Sequence, residues 1–100
     1  MSEVKITVII PTRDAMLCIS RVVSNELRFA DRICVCDYGS NDGTQAEAKR
    51  LGAEVYDTGM KDAGDALRWS YTNLEITDGW ILVLNPEDYL TDRAVEQLRD

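Results

Sequence analysis

The sequence predicts an α/β domain built on a mostly parallel sheet of about four strands with flanking helices. Two observations predict it. Short apolar runs rich in β-branched residues alternate four times with longer stretches whose apolar residues recur at helical spacing. Nearly every apolar run ends in a small polar cluster, as a strand does when it feeds a helix. With 100 residues, the chain is expected to form one domain, 1–100, with no internal repeat and no low-complexity segment.

Val4 to Ile10 (VKITVII) reads as a first strand covered on both faces, stopped by Pro11. Asp14 stands where a helix cap is expected, ahead of Met16, Ile19, Val22, Val23 and Leu27 at helical spacing. Arg32 to Asp37 (RICVCD) is the second strand. After the turn Tyr38-Gly39-Ser40-Asn41-Asp42-Gly43, Thr44 and Glu47 have the spacing of a capping box, and the helix they start ends at Leu51-Gly52.

Ala53 to Tyr56 forms a short third strand. Asp62 to about Ile76 forms a third helix, with Ala63, Ala66, Leu67, Tyr71 and Leu74 near one face and with Asp62 and Asp65 favouring its positive end. Trp80 to Leu84 (WILVL) is the fourth strand, broken at Asn85-Pro86-Glu87-Asp88. Thr91 caps a last helix through Ala94, Val95 and Leu98.

Parallel sheets bind ligands beyond the carboxyl ends of their strands. Those ends carry Pro11 to Asp14, Asp37 to Ser40, Asp57 to Gly59, and Asn85 to Asp88, so one polar rim is expected to hold the site. Asp37, which ends the second strand, is the residue there expected to meet a ligand. Asp14 suits a cap, a ligand contact or both. Glu87 and Asp88 suit either a solvated loop or a cation.

The formal net charge of -7 and pI near 4.5 argue against nucleic acid or an anionic membrane as partner. No apolar run reaches the roughly 20 residues that span a bilayer. The N-terminus has no signal-peptide layout, so the cytoplasm is the expected location. Histidine is absent, which removes His-dependent catalysis. Cys18, Cys34 and Cys36 read as buried thiols, the last two on one sheet face. The turn after the first strand has no glycine, so the dinucleotide-binding and P-loop motifs fail. A phosphorylatable receiver domain fails as well, for want of an acidic pair after the first strand and a lysine after a fifth.

The segments ITVIIPTRDA, DRICVCDYGSNDGT and GDALRWSYTNLEITDGWILVLNPED resemble, in order and spacing, the N-terminal half of family 2 glycosyltransferases of the GT-A fold. The nearest group is the one that extends bacterial lipopolysaccharide cores and other glycans. The resemblance implies a Rossmann-like nucleotide-binding half and sugar transfer from a nucleotide-sugar, a UDP-sugar by expectation, to a glycan or other acceptor. It implies that Pro11, Thr12 and Asp14 line the nucleotide, that Asp37 contacts the base, and that Ser40 and Asp42 shape its turn. Arg68 becomes a diphosphate contact, and Asn85, Glu87 and Asp88 fall on the motif that holds Mn²⁺ or Mg²⁺.

The chain departs from the family pattern at Asp14, Tyr38, Tyr71 and Asn85, so metal binding rests on Glu87 and Asp88. Family members continue for about as long again, with the acceptor site and any general base in that second half. A half-length chain with Trp69, Tyr71 and Trp80 therefore leads us to expect an exposed apolar edge and a homodimer or partner chain. The alternative is a non-catalytic nucleotide-binding or assembly module.

Overall fold

A computed structural model describes residues 5–76 and 79–87 of the chain. Four strands, β1 (Ile6–Thr12), β2 (Arg32–Asp37), β3 (Glu54–Asp57) and β4 (Trp80–Val83), form one sheet in the order β3-β2-β1-β4, and all its pairings are parallel. Three helices connect them, α1 (Ile19–Glu26), α2 (Thr44–Arg50) and α3 (Ala63–Asn73). The expected last helix from Thr91 lies outside the described residues. No helix among the described residues is long and apolar enough to cross a membrane.

The period of two along each strand sorts the core into two layers. Ile6, Val8, Ile10, Ile33 and Val35 face α1, which adds Ile19, Val22 and Val23, and α2, which adds Ala48. Ile9, Cys34 and Cys36 face the other way, under Leu67, Trp69 and Leu74 from α3 and the segment after it. The Tyr56 and Trp69 rings meet there at 5.9 Å. Burial pushes the Cys34 and Cys36 thiols up, to about 11 and about 12, so both are packing groups rather than nucleophiles.

Pro11 does not stop β1; it is paired with Cys36 inside the strand. Hydrogen bonds alternate sides along β1. Lys5 and Ile9 carbonyls accept from Trp80 and Leu84 on the β4 side, whereas the Thr12 carbonyl accepts from Tyr38 on the β2 side. The Pro11 nitrogen therefore points toward the β4 side, one step beyond the Leu84–Ile9 bond, so the proline closes that ladder without interrupting the pairing with β2.

Asp14 does not cap α1. The cap position is Cys18, four residues later, with no side-chain cap bond, and Asp14 adopts φ +48° in the loop before it. Met16 and Leu27 are exposed, so the apolar stripe of α1 is narrower than the spacing predicts. The Thr44–Glu47 capping box does not form either. Gly43 is the cap residue, and Asp42 Oδ1 accepts from Thr44 N while Glu47 pairs with Arg50. Asp62 does cap α3, accepting from Asp65 N at 2.8 Å. Tyr71 lies on the exposed side of α3, and Ser70 takes the buried place.

Glu26 is an acid in the apolar stripe of α1. It is fully buried, and neither carboxylate oxygen has a hydrogen-bond partner. Burial raises its pKa from 4.5 to about 7, against a smaller opposing effect of Arg28.

Candidate functional site

Because every strand runs the same way, β1, β2, β3 and β4 deliver Thr12, Asp37, Asp57 and Val83 to one rim. The chain winds outward from β1 to β2 to β3, then returns to place β4 on the other side of β1. That reversal is the switch point at which a crevice opens in such sheets. The loop after β1 borders it, with the β2 turn on one side and Leu84 to Glu87 on the other.

Asp37 is the informative residue. Its carboxylate is completely buried at the strand end. Oδ1 accepts from Gly39 N and Ser40 N, each at 2.9 Å, while Oδ2 is buried without a hydrogen-bond partner. Burial works to raise the Asp37 pKa. The nearby Ser40 side chain, the Ser40 and Gly39 backbone N–H groups and the Gln45 side chain outweigh it, and the carboxyl is held below its ordinary value. It is thus an ionised acceptor whose Oδ2 makes no direct hydrogen bond, with the Ser40 and Gln45 side chains close enough to ease its charge, and a donor aimed at that oxygen would complete the match. Gly39 makes the turn feasible by adopting φ +115°. The Asp37 carbonyl is also fixed, by Thr58 N at 3.0 Å and Thr58 Oγ1 at 2.8 Å, so β3 braces this corner of the rim.

The other sequence-predicted residues divide by what their polar atoms already do. Pro11 is buried in β1, and Thr12 is fully buried with its hydroxyl donating to the Ile10 carbonyl. Asp14, Ser40 and Asp42 clasp the β1–α1 and β2–α2 loops together. Asp14 N donates to Ser40 Oγ at 2.8 Å, Asn41 N donates to Asp14 Oδ1 at 2.7 Å, and Met16 N donates to Asp42 Oδ2 at 3.1 Å. Ala15 N completes the clasp on Thr44 Oγ1 at 2.9 Å. The clasp holds the Asp37 turn against the end of β1.

Arg68 is exposed on α3 and pairs with Asp65. Glu87 is exposed beyond β4, and Asp88 lies outside the described residues. Among the described residues no three His, Cys, Asp or Glu side chains gather as a metal site. Carboxylate oxygen suits Mg²⁺ or Mn²⁺, but Glu87 alone does not fill a coordination shell, and phosphate oxygens of a ligand are needed beside it.

Arg13 was not singled out by the sequence. It sits between two candidates in the PTRDA segment, yet only the tertiary structure lays it over the Asp37 turn, with Nε 4.0 Å from where a Cβ on Gly39 would stand.

No family model matches the chain, and no curated protein matches it. Solved structures do. The chain is similar to glucosyl-3-phosphoglycerate synthase from Mycobacterium tuberculosis in complex with Mn²⁺, UDP and glucosyl-3-phosphoglycerate, with a TM-score of 0.70 at 21% identity. A second structure of that synthase, with Mn²⁺, UDP-glucose and phosphoglyceric acid, gives a TM-score of 0.65 at 21% identity. The fold matches a Rossmann-like GT-A half. Each comparison covers 87% of this chain and 36% of the neighbour, so the GT-A half spans about a third of the neighbour's length.

Proposed function

We propose that this GT-A half binds the nucleotide of a nucleotide-sugar, a UDP-sugar by preference, as the donor-binding part of a glycosyltransferase. The observation that carries the reading is the buried Asp37 carboxylate with Oδ2 unmatched, at the strand-end rim beside the switch point. An imide N–H of a uracil ring is a donor of the required kind. The neighbours' complexes with UDP and UDP-glucose support the choice of nucleotide. In this reading Asp37 orients the base and the clasp of Asp14, Ser40 and Asp42 keeps its turn in place. A divalent cation held between Glu87 and the diphosphate would supply charge stabilisation to the departing phosphate.

Isothermal titration of UDP into wild type and Asp37→Asn tests it. Asparagine keeps an oxygen for Gly39 N and Ser40 N but turns the free acceptor into a donor. UDP binding should weaken by about 1–3 kcal/mol, the usual loss for a mismatched buried hydrogen bond. Unchanged affinity refutes the assignment. In the same experiment Mn²⁺ should bind appreciably only with UDP present, and a Glu87→Gln/Asp88→Asn double variant should lose that synergy.

One observation favours a second reading, a non-catalytic assembly module. β4 is an edge strand among the described residues, and Trp80, Ile81 and Val83 are exposed on it, although Leu82 packs on the core, so apolar side chains of both its faces reach the surface. Concentration-dependent association by sedimentation, with no UDP binding, would favour this reading over the first.

A further inference from the structure

Arg13 occupies the loop after β1, exposed, and makes no hydrogen bond or ion pair among the described residues. Its side chain folds over the β2–α2 turn, where Nε comes 4.0 Å from the Cβ position of Gly39. Gly39 N–H is one of the two donors that hold Asp37 Oδ1. The guanidinium therefore borders the same turn that leaves Asp37 Oδ2 buried and unmatched.

The surrounding charge gives this placement its meaning. Asp14, Asp37, Asp57, Asp62, Asp65 and Glu87 all lie on the loops and strand ends of this rim, or on the helix start beside it. An anionic ligand arriving there meets repulsion unless a cation stands next to its own anionic group. Arg68 is engaged by Asp65 on α3, and Arg50 by Glu47 on α2. Lys61, exposed on the β3–α3 loop, and Lys49, exposed on α2 where it shares a cavity lining with Ser40 and Thr44, are the other cations in the neighbourhood. Of these three, Arg13 is the one whose head group comes against Gly39, beside the donors that hold Asp37. Its planar fork is also suited to paired contacts with phosphate oxygens.

We propose that Arg13 is a ligand-binding residue that holds the phosphate group attached to the base read by Asp37, so that the site selects a nucleotide over the corresponding nucleoside. The proposal rests on the nucleotide reading of Asp37. It adds a source of charge compensation that is separate from any divalent cation at Glu87.

The test is equilibrium binding of uridine, UMP and UDP at low salt with EDTA, to wild type, Arg13→Ala, Arg13→Lys and Lys61→Ala. Wild type should bind the nucleotides about tenfold or more tightly than uridine, as one charge-assisted contact implies. Arg13→Ala should lose most of that preference and keep its uridine affinity. Arg13→Lys should retain part of it, and Lys61→Ala all of it. Comparison of UMP with UDP then tells which phosphate Arg13 engages. An undiminished preference in Arg13→Ala, or its loss in Lys61→Ala instead, overturns the proposal while leaving the Asp37 reading intact. A folded wild type that binds neither uridine nor nucleotide overturns both.

Discussion

Replacing Glu26 with leucine should stabilise the protein, and by an amount that grows with pH. The side chain sits in the apolar stripe of α1, fully buried, with both oxygens unpartnered. Its carboxyl has a pKa of 4.5 in the ordinary state and about 7 in the fold. Below about pH 4.5 it is protonated in both states and has no effect on the pH dependence. Between the two values the unfolded chain releases the proton while the folded chain keeps it, so stability falls as pH rises. At 1.36 kcal/mol per pKa unit, the loss reaches about 3 kcal/mol by neutral pH and then levels off.

Asp37 and Glu54, whose pKa values lie below the ordinary ones, act oppositely: their contributions are present at neutral pH and lost on acidification. The wild-type profile should therefore peak in mild acid. Urea denaturation from pH 5 to pH 8 provides the measurement. Glu26→Leu should gain about 2.5 kcal/mol more at pH 8 than at pH 5, and Glu26→Gln should flatten the same slope without the gain in apolar burial. Leucine is as good a helix former as glutamate, so propensity adds little. A constant difference between wild type and Glu26→Leu across that range would refute the reasoning, because it would mean that the buried carboxyl does not titrate there.

Gly79 adopts φ +86°, and a Cβ there would collide with the Lys5 carbonyl oxygen, so Gly79→Ala should push β4 away from β1 and cost about 2 kcal/mol or more in thermal or urea unfolding. An alanine variant of wild-type stability would show that this junction gives way freely. Asp14→Ala should lose about 1–2 kcal/mol, since it removes the acceptor for Asn41 N and places alanine at φ +48°, whereas Asp14→Asn, which keeps a carbonyl oxygen and tolerates that conformation, should stay close to wild type. Equal losses in the two variants would argue against the clasp.

Local pattern was enough to read the order of strands and helices, because apolar period and strand-ending polar clusters are properties of neighbouring residues. β2 was read at its observed bounds, Arg32–Asp37, and the end of α2 at Leu51-Gly52 follows from a glycine that takes φ +99°. Asp37 was legible as a strand-end acid on the binding rim for the same reason. The end of β1 and the starts of α1 and α2 were not. Pro11 reads as a stop, yet it lies inside β1, because its nitrogen faces the β4 side where that pairing ends and leaves the β2 ladder intact. Asp14 and Thr44 have the residue types of helix caps, but residues 26 to 29 positions away in the chain take up their hydrogen bonds instead.

The sequence by itself determined an α/β domain with a polar rim and an acid at its second strand end. The tertiary structure decided that β4 returns beside β1, that Glu26 is sealed without a partner, that one Asp37 oxygen is left unmatched, and that Arg13 lies over that turn. Periodicity reports what a residue's own turn or strand requires. Which distant groups meet depends on strand order and loop closure, and those are set by the packing of the whole core.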